Sequence, residues 1–165
     1  MRNILKEKKI KADIIEASIS SHIGDNYLDL FKKSVIMNKQ IDKDIGKNAL
    51  YSYKRASSIL EHEVKKSSKE IIGRPDAVLF RKDEEKFLFE KINEIRKSFT
   101  VKEESKNYED LLTQLASVKD LTDSFFDNVV VNDENQDIKN NRLELLSMFC
   151  KVFNNFIDFS KLEGA

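Results

Sequence analysis

Lys47, Tyr51, Lys54, Ser58, His62 and Lys65 recur at spacings of three and four residues, so a helix through this segment would carry them on one side. Cationic groups hold phosphates and an aromatic plane stacks on an unpaired base, and that combination is the chemistry of binding single-stranded or looped RNA. Arg55, next to Lys54, would add a guanidinium to the same surface. Ile45, Ala49, Tyr53, Ala56, Leu60 and Val64 form the complementary apolar stripe, which marks the basic set as the outer face. A merely solvated lysine face has the same spacing, and both readings stay open at this level.

A second constellation lies at Asn140, Asn141 and Arg142. Side-chain amides donate and accept, as base-edge reading requires, which makes Asn141 a further candidate for RNA contact. Arg142 interrupts the stripe Ile138, Arg142, Leu145, Phe149, Val152, Phe156 and Phe159, so its guanidinium is expected inside the fold. A buried charge without a partner costs about 3–5 kcal/mol, and a structural ion pair with Asp127, at the end of the preceding helix, is the expected solution.

Other chemistries lack their residues. No Gly-rich phosphate loop and no Cys/His cluster with metal spacing occurs, and His22 and His62 fall in different elements. Cys150 lies on the apolar face of the last helical segment, which reads as a structural thiol. Neither a catalytic constellation nor a metal site is expected, and no cofactor. A lone cysteine excludes an internal disulfide, and with no signal-peptide pattern a cytoplasmic location is expected. No stretch approaches the length of a membrane span.

The elements that must position these groups are helical. Among 165 residues, 40% are hydrophobic, enough for a core, while four glycines and one proline are too few for a turn-rich β fold. The spacing predicts short helices over 2–8 and 11–19, then helices opened by Asp25 and by Asp42, the latter running to Ser67. A connection follows around Gly73-Arg74-Pro75. A charged helix over Asp83–Phe99 should turn Phe87, Ile92 and Ile95 inward. One helix capped by Asn107 should run through Leu111, Leu115, Leu121 and Phe125 to a frayed end at Val129–Val131. A capping box of Asp133 and Gln136 should open the last. Residues 1–40 read as an appendage or the end of a preceding region, and 41–165 as the main helical domain. Residues 1–74 carry 16 basic and 10 acidic groups and residues 75–165 carry 13 and 19, so an anionic partner should prefer the first half.

In residues 125–162, Phe125-Phe126-Asp127, the valine run, the acidic stretch and Asn141-Arg142-Leu143 precede a long apolar helix. This order resembles the C-terminal end of the β subunit of bacterial glycyl-tRNA synthetase. Tyr53-Lys54-Arg55 leading to Ile59-Leu60 resembles that family's Lys-Arg motif, with Ser58 where the family often has Asn. Asp137-Ile138-Lys139 is a degenerate form of the Ala-Leu-Arg motif that names the wider DALR class.

The resemblance implies an all-α helical bundle of about six or seven helices, of the DALR anticodon-binding type. It implies binding of the tRNA for glycine, through Lys47, Tyr51, Lys54, Arg55, Lys65 and Asn141 as candidates. The chain would be a non-catalytic fragment of a larger β subunit that works with a separate α subunit. ATP and magnesium would serve the whole enzyme, and no membrane is involved. Two alternatives remain: the anticodon domain of another synthetase, arginyl being nearest in architecture, and a helical protein-interaction module that binds no nucleic acid.

Overall fold

The helix that buries the most side chains is the axis of the fold. In the computed structural model, which describes residues 1–164 apart from the side chain of Glu103, that axis is the helix Gln136–Asn154. It is the last of eight α-helices among the described residues: α1 (Arg2–Glu7), α2 (Ala12–Ser21), α3 (Tyr27–Gln40), α4 (Asp44–Ser67), α5 (Asp83–Ser98), α6 (Tyr108–Ala116), α7 (Lys119–Asn128) and α8. No strand occurs among these residues, so the all-α expectation holds. Short 3-10 turns at Ala77–Leu79, Glu103–Ser105 and Phe159–Lys161 complete the chain.

Side-chain caps set several of the boundaries. Asn107 Oδ1 accepts from the backbone N–H of Asp110 at 3.0 Å, as the sequence predicts for α6. Elsewhere an asparagine displaces the predicted aspartate. Asn26 rather than Asp25 caps α3, accepting from the N–H of Asp29. Asn135 rather than Asp133 caps α8, accepting from the N–H groups of Asp137 and Ile138. Asp133 is committed to the turn itself, where Oδ1 accepts from the N–H of Asn135. Helix α4 begins at Asp44, two residues beyond Asp42, whose carboxylate instead receives Lys11 Nζ at 2.7 Å.

The helix expected from Asn107 to Val129 is two helices. Ser117 Oγ donates to Gln114 O at 2.6 Å, offering the backbone an alternative to the next helical bond, and α7 restarts at Lys119. The apolar stripe continues across the break, with Leu111, Leu112, Leu115, Val118 and Phe125 all buried. Val129–Val131 does not fray from the helix; Val129 is extended at φ −116° and the run forms the linker to α8. On α5 the buried register is Glu85, Leu88, Ile92 and Ile95, which leaves the expected inward Phe87 half exposed at 51%.

Helix α8 packs against α4 and α5, and α4 also packs against α6 and α7. Phe149, Phe153 and Phe159 are fully buried with Tyr53 of α4, ring centroids lying 4.7 Å apart for Phe149–Phe153 and 5.4 Å for Tyr53–Phe159. Such aromatic contacts add to the gain from burying their area. Leu5, Ile14 and Met37 from residues 1–40 share one continuous core with these rings. Gly46 permits the tight passage from α3 into α4, since a Cβ there would stand 2.2 Å from Gln40 O. The C-terminal segment is tied back across the bundle by the N–H of Asp158 donating to Ala17 O and that of Glu163 donating to Asp13 Oδ2.

Arg142 is buried, as its place in the stripe predicts, but Asp127 is not its partner. Arg142 Nε donates to Glu85 Oε1 at 2.9 Å, with exposures of 4% and 0% for the two side chains. Its Nη1 reaches Val130 O at 2.6 Å and Asp133 Oδ2 at 3.3 Å. Asp127 sits on the exposed side of the last turn of α7. Glu85 Oε2 in turn accepts from the backbone N–H groups of Arg81 and Lys82 at the start of α5. One ion pair therefore closes α5, α8 and the linker between α7 and α8. Arg142→Met should lower the unfolding free energy by about 3–5 kcal/mol, because it strands the Glu85 carboxylate in the core. Urea unfolding followed by circular dichroism measures this, and a loss under about 1 kcal/mol would show that the pair does not hold the junction.

Candidate nucleic-acid interface

The two faces read from the sequence of α4 are both present, and tertiary packing has altered the outer one. Ala49, Tyr53 and Ala56 are buried, together with Gly46, Leu50 and Ser52, while the inner stripe opens out at Leu60 and reaches 36% exposure at Val64. Lys47, Tyr51, Ser58, His62 and Lys65 are exposed. Lys54 is half-buried, its Nζ donating to Leu162 O at 3.0 Å, so that ammonium anchors the C-terminal segment.

Around Tyr51 several groups converge from two helices. Arg55, one turn further along α4, has its Cζ 5.8 Å from the Tyr51 ring centroid and 4.6 Å from that of Phe126 on α7. Lys119, at the start of α7, places Nζ 4.9 Å from the Tyr51 centroid. Asp123 joins the two cations, accepting from Arg55 Nη1 at 2.9 Å and from Lys119 Nζ at 2.6 Å. The Lys119 hydrogen bond, with Arg55 adding to it, holds the Asp123 carboxyl below the usual range despite some desolvation. The same bond raises the Lys119 ammonium. At neutral pH the cluster is two cations, one anion and two aromatic planes, with a net positive charge.

The remaining candidates lie elsewhere. Fourteen residues of helix separate Tyr51 from Lys65, about 21 Å at 1.5 Å per residue, so Lys65 is not part of this cluster. Asn141 is 2% exposed, and its amide is already used: Oδ1 accepts from the N–H of Asp76 and Nδ2 donates to Asp76 O. It clasps the connection between α4 and α5 and presents no edge to a base, which corrects its reading as an RNA contact. Lys119, Phe126 and Asp123 were missed by the sequence reading. The spacing of Lys119 and Asp123 at i, i+4 was a legible signal, but only the packing of α7 on α4 shows that they meet Tyr51.

Among the described residues, no group of three or more His, Cys, Asp and Glu side chains could hold a metal ion. His22 rests against the Tyr27 ring with centroids 5.4 Å apart, and His62 is exposed on α4. Burial pushes the Cys150 thiol up to about 12, so it is protonated at neutral pH. Among the described residues no helix is long and apolar enough to cross a membrane.

A family model described as the DALR anticodon binding domain matches residues 49–162, from α4 through to the turn after α8. The chain belongs to the DALR anticodon-binding family. Its DALR region contains Tyr51, Arg55, Lys119, Asp123 and Phe126, the whole cluster on α4 and α7. The chain is also similar to the glycine–tRNA ligase β subunit of Rickettsia prowazekii (strain Madrid E), at 37% identity over 144 residues, covering 87% of this chain and 21% of that protein. With the same subunit of Rickettsia africae (strain ESF-5) it shares 36% over 152 residues, 92% of this chain and 22% of the relative. With that of Sulfurihydrogenibium sp. (strain YO3AOP1) it shares 33% over 164 residues, 99% and 23%. This DALR-containing chain thus spans about a fifth of the length of the curated relatives it matches.

The buried thiol gives a direct check on the placement of α8. In the folded protein Cys150 should resist a thiol-reactive disulfide reagent at pH 8 for many times longer than in denaturing urea, where it should react at once. Rapid reaction under native conditions would place Cys150 at the surface.

Proposed function

We propose that this chain is the tRNA-binding module of a glycine–tRNA ligase β subunit, holding the anticodon loop of the glycine tRNA on the surface formed by α4 and α7. The observation that carries the reading is the coincidence of the DALR match with the net-positive cluster of Tyr51, Arg55 and Lys119. Phosphate contacts would come from Lys47, Arg55 and Lys119, and base stacking from Tyr51, since loop RNA exposes both phosphates and unstacked bases. Lys54 acts on this surface indirectly, by fixing the C-terminal segment. Residues 1–40 serve as the helical extension that buttresses the binding helices through the shared core.

The chain supplies binding and no bond-making. Attachment of glycine, with ATP and magnesium, belongs to the whole enzyme and its α subunit, working in the cytoplasm. Support for the division is chemical: the single thiol is protonated and buried, and the ionisable groups of the cluster are paired with one another.

Each phosphate neutralised in a single-stranded contact contributes roughly 0.7 to the slope of log affinity against log salt. Lys47→Gln together with Lys119→Gln should therefore weaken binding of a glycine-tRNA anticodon stem-loop and make that slope shallower by about 1.4. Titration at several salt concentrations reads both quantities. Affinity and slope equal to those of the unaltered chain would remove the α4–α7 surface from the RNA site.

A further inference from the structure

A groove of about 360 Å³ lies between α5, α8 and the connection that leads into α5. It shares no residue with the Tyr51 cluster, and its volume falls at the lower end of the ~300–1,000 Å³ typical of ligand sites. Arg74, Arg96, Lys151 and Asn155 line it together with Met148 and Val152. Among the described residues no carboxylate contributes to the lining, so three cations and one amide supply all of its polar side chains.

The fold positions these cations and leaves two of them unpaired. The connection is fastened to α8 on both sides of Arg74: Ser147 Oγ donates to Ile71 O at 3.5 Å, and Asn141 exchanges two hydrogen bonds with the backbone of Asp76. Gly73 lets the chain turn there at φ +127°, where a Cβ would stand 2.8 Å from Glu144 Oε1. Arg74 Nη2 then reaches Asn93 Oδ1 at 3.4 Å, one turn before Arg96 on α5. Arg96 is half-buried, yet among the described residues neither it nor Lys151 has a hydrogen-bonding or ion-pair partner. Lys33, Arg55, Lys139 and Arg142 are also half-buried or buried, and each meets a carboxylate oxygen at 2.8 or 2.9 Å. Arg96 departs from that pattern where it lines the groove.

An unpaired guanidinium suits an oxyanion, whose oxygens its N–H groups can grip in pairs. A carboxylate brings one negative charge and two oxygens, whereas a terminal phosphate carries nearly two charges and three acceptor oxygens. Three cations match the phosphate better. Met148 and Val152, 9% and 2% exposed, give the groove an apolar side that excludes water and strengthens the charge interactions. Glu144, whose carboxyl is pushed up by burial, lies against Gly73 but lines a separate cleft. We propose that the α5–α8 groove is a phosphate-binding site, in which Arg74 and Arg96 grip the oxygens and Lys151 supplies the third positive charge. The phosphate belongs either to a free small compound or to RNA beyond the loop held by α4 and α7. The site stands independently of the RNA-binding reading above.

Arginine side-chain N–H signals of the full chain, followed by NMR while sodium pyrophosphate is added at constant ionic strength, test the site. The Arg74 and Arg96 signals should shift saturably, and acetate at the same ionic strength should leave them in place. Arg96→Gln and Lys151→Gln, with helicity verified by circular dichroism, should each weaken pyrophosphate binding by about threefold or more, since each loses a hydrogen bond between charged groups. Lys119→Gln on α7 should bind pyrophosphate as the unaltered chain does. Whole glycine tRNA separates the two sources. If it displaces pyrophosphate from the groove, and Arg96→Gln makes its salt slope shallower by roughly 0.7–0.9, the phosphate is that of RNA. If pyrophosphate binds and the tRNA titration is the same for Arg96→Gln as for the unaltered chain, the ligand is a free phosphate compound. No saturable shift with either probe, an equal response to acetate, or an equal loss in Lys119→Gln would overturn the site.

Discussion

The buried pair of Arg142 and Glu85 is the constraint around which the rest of this bundle is arranged. Neither charge could remain in the core alone, so each fixes the other's element: Arg142 sets the rotation of α8 and Glu85 sets the start of α5. The remaining valences extend the constraint. Arg142 also holds Val130 O in the α7–α8 linker, and Glu85 also receives two backbone N–H groups at the start of α5. With α8 locked in this rotation, its Phe153 faces Tyr53 on α4, and the opposite side of α4 is turned to solvent. An interaction almost wholly removed from solvent thereby helps to decide which side chains are displayed.

Periodicity alone made much of this legible. The two faces of α4, the burial of α8 and the Asn107 cap all follow from local spacing, because helix geometry converts spacing into direction. What the sequence could not convey were competitions between neighbours and contacts between distant helices. Asn135 and Asp133 can each cap α8, and the outcome turned on Asp133 being drawn to Arg142 and to its own turn. Ser117 broke a helix whose apolar stripe runs on without interruption. Asp127 was near Arg142 along the chain, but Glu85, 57 residues away, was near it in space. Phe87 went outward because Glu85, a residue that spacing rules would expose, took the inner register.

The candidate interface shows the same division. Lys47 and Tyr51 could be read from α4 by themselves, whereas Lys119, Asp123 and Phe126 join them only through the packing of α7. Asn141 illustrates the opposite case, an amide suited to reading a base that the fold uses as a clasp on its own backbone. The overall charge is zero, so attraction for an anion must be local. Asp123 tempers it by sharing its carboxylate between two cations, which keeps both near the Tyr51 ring and limits their freedom. That pre-organisation lowers the ordering cost of binding, at the expense of part of the field.

The central claim is that RNA is held on the α4–α7 surface. Lysine acetylation, mapped by mass spectrometry with and without a glycine-tRNA anticodon stem-loop, tests it most directly. The account predicts that Lys47 and Lys119 become protected on addition of the RNA, while Lys86 and Lys91 on α5 keep their reactivity. Protection of the α5 lysines with Lys47 and Lys119 unchanged would contradict it.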